Sequence, residues 1–213
     1  MILIYCLLSG SPPPCLAADL SPQEIAEKLQ QTYDHTTAIS ADFRQATTIP
    51  MSRRSRKGAG TMVIQKPGFM RWDYTAPDKQ VLTSDGKTIS MYFAENQQMI
   101  VMPAQEYLKS DITYAFFAGT GNIVRDFEVL APDKADIPPQ TLALKLVPKK
   151  NHPQVSSLTV IITRDSFLIK RLLILDHFDS LTDIVLTNLV LNQPKPVDYF
   201  VFTPPPDTEI IRQ

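Results

Sequence analysis

Cysteine is almost absent from this chain of 213 residues, and both copies lie close to its start. Cys6 and Cys15 fall within a short apolar leader, so the sequence that follows contains no cysteine. Structural disulfides are therefore excluded from that later sequence. A cysteine-free mature chain is compatible with an oxidising compartment.

Groups that carry out catalysis are also scarce. The sequence has three histidines, His35, His152 and His177, and none has metal-ligand spacing or an adjacent nucleophile. It contains no G-x-S-x-G elbow and no G-x-x-x-x-G-K-[ST] phosphate loop. We therefore expect no metal, no cofactor and no enzymatic activity.

Long hydrophobic runs and an excess of one charge are missing as well. No apolar run approaches the ~18 residues that a membrane-spanning helix needs. The formal net charge of -1 gives no reason to expect a nucleic-acid partner. With 44% hydrophobic residues, the chain has enough apolar material for one domain with a substantial core. We expect a soluble mature chain.

The first 17 residues read as an export signal. An apolar run over residues 2–8 is followed by small residues at Cys15 and Ala17, which permit cleavage before Ala18. We expect residues 1–17 to be this signal and residues 18–213 to form a single domain. The usual positively charged leader is missing, which leaves open a start upstream of Met1. Acylation of Cys15 is an alternative, although Pro14 fits a lipoprotein signal poorly.

The sequence after the leader predicts one helix. Ser21, Pro22 and Glu24 form an N-cap, a proline at the first helical position and a capping-box glutamate. Ile25 and Leu29 begin an apolar stripe at helical spacing. A strand over residues 39–48 is expected to follow.

The stretch over residues 58–92 predicts a series of short strands. Met70, Trp72 and Tyr74 alternate with polar residues, which places large apolar groups on one face of a strand. Asp85 and Gly86 supply a tight hairpin turn, after which the alternation resumes. The stretch predicts an apolar, concave sheet.

The second half of the chain predicts more strands around a helical insertion. Helical spacing of apolar residues over 108–116 follows a strand at 98–102, and residues 126–139 read as a loop. Further strands are expected over residues 142–146, 158–163, 167–175, 183–191 and 199–203. About ten strands and two or three helices indicate a curved antiparallel sheet with a helical plug.

A compact basic cluster occupies residues 53–57, just before a Gly-Ala-Gly run. One interpretation is a solvated hairpin loop. The other is a contact with anionic headgroups or with an acidic patch on a partner. The charges alone do not decide between them.

Several motifs in order resemble one known family. They are Ala41-x-Phe43-x-Gln45, Lys66-Pro67, Trp72, Pro77, Ser84-Asp85-Gly86-Lys87-Thr88 and Phe200-x-Phe202-x-Pro204-Pro205. Their order and spacing resemble the periplasmic outer-membrane lipoprotein carrier family, LolA. The resemblance implies a mainly β fold with α: an incomplete, unclosed antiparallel β-barrel with a helical lid over a hydrophobic cavity.

The resemblance also implies a site. Periodicity alone favours an ordinary core for the apolar face, whereas the resemblance implies an acyl-chain cavity, because the family lines its cavity from matching positions. In that family a basic residue before the proline holds the lid closed, and it is usually arginine. Here it is Lys66, which predicts a lid that opens more readily. The expected cavity residues are Phe43, Met62, Ile64, Met70, Trp72, Tyr74, Leu82, Ile89, Met91, Leu108, Ile112 and Phe116.

The function implied by the resemblance is that of a monomeric periplasmic carrier of lipoprotein acyl chains. Burying roughly 40 methylenes of three chains is worth on the order of 30 kcal/mol, so extraction from a membrane needs an energy source. The implied partners are an ATP-driven inner-membrane extractor and an outer-membrane receptor. Alternatives are a carrier of another lipid or glycolipid, an anchored receptor if Cys15 is acylated, and a lipoprotein-binding regulatory sensor.

Overall fold

Strands of one sheet make up most of the described chain. The computed structural model describes residues 20–50, 54–110, 121–133 and 137–213. Its helices are α1 (Pro22–Asp34), α2 (Ala104–Ser110), α3 (Ile123–Asp126) and a 3-10 turn (Val197–Phe200). Its strands are β1 (Ala38–Ile49), β2 (Arg54–Gln65), β3 (Phe69–Ala76), β4 (Gln80–Asp85), β5 (Thr88–Phe93), β6 (Gln98–Pro103), β7 (Phe127–Leu130), β8 (Thr141–Pro148), β9 (Ser157–Thr163), β10 (Ile169–Leu175), β11 (Leu181–Leu191) and β12 (Glu209–Arg212).

The sheet is continuous but unclosed. Its strand order is β12-β6-β5-β4-β3-β2-β1-β11-β10-β9-β8-β7, so β12 and β7 form the two edges. Neighbouring strands run antiparallel except at one edge, where β12 pairs with β6 in parallel. The mainly β fold and the unclosed antiparallel sheet are confirmed, and the parallel edge corrects the purely antiparallel expectation.

Helix α1 begins as its sequence predicts. The Ser21 hydroxyl accepts a hydrogen bond from the Glu24 N–H at 3.3 Å, and the Glu24 carboxylate accepts one from the Ser21 N–H at 2.8 Å. The helix buries Ile25, Ala26, Leu29 and Tyr33. These side chains join the core on the concave side of the sheet, so α1 covers part of that face.

Hairpin geometry fixes which residues face the concave side. In antiparallel pairs, residues directly opposite each other point to the same face. Phe43 on β1 lies opposite Gly60 on β2 and Leu186 on β11, and Phe43 is 1% exposed.

The tight turn expected at Asp85 and Gly86 joins β4 to β5, and its glycine has a φ of 85°. That expectation is confirmed.

The strand expected over residues 199–203 is wrong. Tyr199 and Phe200 lie in the 3-10 turn, and the last strand begins at Glu209. The alternating aromatic pattern arises from side chains that anchor this segment to other strands. Phe200 packs against Phe69 with ring centroids 5.3 Å apart, and Phe202 packs against Tyr92 at 5.0 Å. Prolines around this segment lack the N–H groups that a ladder needs.

Two loop expectations are also corrected. Residues 54–57 of the basic cluster are part of β2, paired with the end of β1, and those after Arg54 are exposed there. Residues 127–130 form β7 and pair with β8. The side chain of Phe127 is 5% exposed and fixes the start of this strand in the core. A four-residue strand is too short for alternation to reveal it.

A cavity on the concave face as the candidate functional site

A cavity of about 610 Å³ opens on the concave face of the sheet. This volume lies within the range typical of small-molecule sites, roughly 300–1,000 Å³. Its walls come from β1 to β4 on one side, from β10 and β11 on the other, from α2 and from the loop before β9. The lining residues are Gln45, Thr47, Ile49, Ile64, Met70, Trp72, Tyr74, Leu82, Tyr107, Pro153, Gln154, Val155, Ile174, Asp176, His177, Phe178, Ser180, Thr182 and Ile184.

One part of the cavity wall is apolar. Ile64, Met70, Trp72 and Leu82 project from three adjacent strands, β2, β3 and β4. Their positions follow from the register, which places Met70 opposite Ile64 and Leu82 opposite Trp72. Phe43 supports the wall from beneath, since its ring meets the Trp72 ring edge-on with centroids 4.7 Å apart. This region is suited to hydrocarbon.

The end of the cavity nearest the β1–β2 connection carries several polar side chains beside the apolar Ile49. Tyr74 Oη donates to Gln45 Oε1 at 3.2 Å. Thr47 and Thr182 lie opposite each other on β1 and β11, and their hydroxyl oxygens are 2.9 Å apart. We call Gln45, Thr47, Tyr74 and Thr182 the polar strip.

A turn between β10 and β11 forms the lip of the cavity. The N–H groups of Phe178 and Ser180 donate to Asp176 Oδ1 at 2.7 and 2.8 Å. Burial opposes ionisation of this carboxyl, but these donors outweigh it and hold the pKa of Asp176 below its ordinary range. The Phe178 side chain is 80% exposed although it borders the cavity. The lip therefore carries one fixed negative charge and one exposed aromatic ring.

Lys66 connects the far end of β2 to α1. Its Nζ donates to the Tyr33 carbonyl oxygen at 2.5 Å and lies 3.5 Å from that of Asp34. Both carbonyls belong to the last turn of α1, where orphan carbonyls attract a cation. Tyr33 is further fixed by its hydroxyl, which accepts from the Ile169 N–H at 3.1 Å. Burial raises the pKa of Tyr33, so this phenol stays neutral.

Known sequences and structures resemble the chain over most of its length. A sequence profile for the family described as "Outer membrane lipoprotein carrier protein LolA" matches residues 34–203. The chain belongs to the LolA family. An outer-membrane lipoprotein carrier protein of Nitrosomonas europaea is 26% identical over 212 residues, which cover 100% of this chain and 96% of that relative. The protein of the same name in Pseudomonas putida W619 is 24% identical over 213 residues, covering 100% and 98%.

A solved structure supports the fold of this LolA-family chain. An uncharacterized conserved protein from Thermus thermophilus superposes with a TM-score of 0.57 at 13% identity. The superposition covers 91% of this chain and 100% of that one. At this identity the likeness concerns the fold alone.

The structure brings five of the expected cavity residues together on the wall: Ile64, Met70, Trp72, Tyr74 and Leu82. It places Phe43, Met62 and Ile89 in the packed core instead, each at most 1% exposed. They face the concave side, but neighbouring side chains cover them. Met91 lies opposite Leu82, is half-buried and packs against the core beside the wall.

The structure does not describe the side chains of three expected cavity residues, Leu108, Ile112 and Phe116. Leu108 belongs to α2, but its side chain lies beyond what the structure describes. Ile112 and Phe116 lie outside the described residues. Within α2, Tyr107 reaches the cavity, one position before the residue expected from helical spacing.

Of the polar strip, sequence reasoning predicted Tyr74 and missed Gln45, Thr47 and Thr182, and it also missed the wall from β10 and β11. Gln45 and Thr47 have the same parity as Phe43 on β1, so strand alternation could have assigned them to the concave face. No local signal could have identified Ile174, Thr182 or Ile184. Their part in the cavity depends on β11 pairing with β1, a contact between distant parts of the chain.

Two further observations concern the described residues only. No group of three or more His, Cys, Asp or Glu side chains among them could hold a metal ion. None of the helices they form is long and apolar enough to cross a membrane.

Proposed function

We propose that this LolA-family protein is a periplasmic carrier. It binds the acyl chains of lipoproteins released from the inner membrane and delivers them to the outer membrane. The observation that carries this proposal is the cavity, with Met70, Trp72 and Leu82 on its apolar wall. The names of its relatives from Nitrosomonas europaea and Pseudomonas putida support the same role. The proposal assigns the chain no catalytic step.

Physical constraints define the carrier's task. Each buried methylene contributes about 0.8 kcal/mol, so a cavity that shields acyl chains from water stabilises the complex strongly. The same term holds the chains in a membrane, and a passive carrier cannot extract them quickly. We therefore propose that an ATP-driven extractor at the inner membrane loads the carrier. An outer-membrane receptor then accepts the cargo from a single carrier molecule.

The experiment uses inner-membrane vesicles that contain radiolabelled lipoprotein, the extractor complex and ATP. Addition of the purified protein should release a soluble complex of one lipoprotein and one carrier. Leu82→Asp places a carboxylate on the apolar wall, where its desolvation opposes acyl-chain binding, so release should fall at least tenfold. Thr75→Asp is the matched control, because Thr75 is exposed on the neighbouring strand.

Each outcome of this experiment has a defined meaning. Release by the wild type and by Thr75→Asp, with loss in Leu82→Asp, supports a carrier that uses this cavity. No release by the wild type, alongside a competent control carrier, contradicts lipoprotein as the cargo. Mass spectrometry of lipid that copurifies with the protein would then identify a different lipid.

A further inference from the structure

Hydrocarbon alone does not account for the chemistry of the cavity. The polar strip of Gln45, Thr47, Tyr74 and Thr182 lies on the same concave surface as the apolar wall. We propose that this strip binds the ester or amide linkage that joins an acyl chain to its polar head. The cavity would then prefer lipids with neutral carbonyl linkages to bare hydrocarbon. This inference rests on the proposed function and adds a specificity-determining contact to it.

The position of the strip follows from the sheet. Gln45 and Thr47 are two residues apart on β1, so their side chains share a face about 7 Å apart. Thr182 on β11 lies directly opposite Thr47, and Tyr74 reaches Gln45 from β3. Gly58 lies between these strands, opposite Gln45, and its lack of a side chain leaves room for the Tyr74 ring. The strip is thus fixed by strands rather than by a loop.

The strip presents hydrogen-bond donors to the cavity. Tyr74 Oη uses Gln45 Oε1 as its acceptor, and among the described residues no hydrogen bond uses the Gln45 amide hydrogens. In the Thr47–Thr182 pair one hydroxyl donates to the other, which leaves one hydroxyl hydrogen for a ligand. Such donors bind oxygen acceptors, and carbonyl oxygens are among the strongest neutral ones. Ester and amide linkages of an acylated lipid supply carbonyl oxygens at the head end of each chain.

Because these donors lose water when a ligand binds, they favour ligands that carry a carbonyl group over alkanes. In a hydrated cavity, water satisfies the Gln45 amide and the threonine hydroxyls. An acyl chain that enters displaces this water, and a polar group left without a partner then opposes binding. A ligand carbonyl restores the lost hydrogen bond, whereas an alkane cannot. A site built to hydrogen-bond one group rejects an analogue that lacks it.

The test compares two probes of similar length, methyl decanoate and tridecane, delivered from cyclodextrin. Trp72 is the only tryptophan in the sequence and lies on the cavity wall, so its fluorescence reports binding of either probe. The measured quantity is the ratio of the two affinities. The double variant Gln45→Leu/Tyr74→Phe removes the amide donors without leaving a tyrosine hydroxyl that has lost its acceptor, and it adds apolar surface. It should therefore strengthen tridecane binding and lower the ester preference about fivefold.

A second variant tests whether the change in ester preference comes from the lost donors or from a general defect in folding of the first variant. The double variant Thr47→Val/Thr182→Val preserves the shapes of both side chains and removes both hydroxyls, so it leaves no hydroxyl donor from this pair and should lower the ester preference about threefold to fivefold. Thr48→Val is the matched control, because Thr48 is the next residue on β1 and is exposed. The ratio in Thr48→Val should equal that of the wild type.

The outcomes separate this inference from the proposed function. If the wild type binds both probes and only the strip variants lose ester preference, both proposals are supported. If both probes bind and every variant keeps the wild-type ratio, the polar strip has no role and the inference is overturned. In that case the carrier proposal stands. If the wild type binds neither probe, the acyl-chain cavity itself is contradicted, and the inference is overturned with it.

Discussion

The ammonium nitrogen of Lys66 lies 2.5 Å from the carbonyl oxygen of Tyr33, in the last turn of α1. This contact joins the end of β2 to a helix that covers part of the concave face. The positive charge also lies where the dipole of α1 is negative, which strengthens the contact. We therefore propose that Lys66 helps to hold α1 against the sheet.

Replacing Lys66 with leucine should weaken this attachment. Lys66→Leu removes a charge-assisted hydrogen bond to a helix terminus, worth about 1–2 kcal/mol. We expect amide hydrogens in the last turns of α1 to exchange about tenfold faster, and cargo to be released faster. Hydrogen exchange followed by mass spectrometry measures the first effect.

Two further variants complete this experiment. Lys66→Arg should restore protection of α1, because a guanidinium offers more donors to the same carbonyls. Lys57→Leu is the control, since Lys57 is an exposed lysine on β2, the strand that ends just before Lys66. Unchanged exchange and unchanged cargo release in Lys66→Leu would show that Lys66 is not a latch.

Gly60 should tolerate no side chain. A Cβ atom there would lie 1.9 Å from the Asp73 carbonyl oxygen. This oxygen belongs to the backbone of β3, which cannot move away without disturbing the sheet. Gly60→Ala should lower the free energy of unfolding by about 3 kcal/mol. Gly58→Ala should lower the free energy of unfolding less, because its Cβ would lie 3.0 Å from the edge of the Tyr74 ring, a side chain that can shift. Equal unfolding midpoints in urea for the two variants would contradict this interpretation of the β2–β3 register.

The charge of Asp176 should disfavour anionic lipids. Because its pKa lies below the ordinary range, the carboxylate stays ionised throughout pH 5–8. Asp176→Asn removes the charge, while its Oδ1 can still accept from the Phe178 and Ser180 N–H groups. We expect affinity for decanoate at pH 7 to rise about fivefold, which corresponds to ~1 kcal/mol of repulsion. Affinity for methyl decanoate should stay constant, and a parallel rise for both probes would contradict the electrostatic explanation.

The local structure could be predicted where one segment decides it. The capping box of Ser21 and Glu24, the turn at Gly86 and the alternation through Trp72 all follow from neighbouring residues. The structure bears out each of these elements. Short-range chemistry is sufficient there, because the interactions that stabilise each element lie within a few residues.

The complete cavity could not be predicted in this way. Its second wall requires β11 to pair with β1, which brings Ile184 next to Gln45 across a long sequence separation. The segment around Phe200 shows the opposite error. Its side chains alternate with the period of a strand. The aromatic rings anchor the segment to the sheet, but its backbone is not paired as a strand. Periodicity indicates which side chains are buried, and not which backbone groups are paired.

The most direct test of the account uses the fluorescence of Trp72, the single tryptophan in the sequence and part of the cavity wall. The protein is titrated with a lipoprotein whose acyl chains carry bromine at mid-chain, and separately with the same lipoprotein without bromine. Bromine quenches tryptophan only at close range, so we expect the brominated cargo alone to quench Trp72 strongly. Equal fluorescence with the two cargoes, when both form the soluble complex, would show that the acyl chains bind elsewhere.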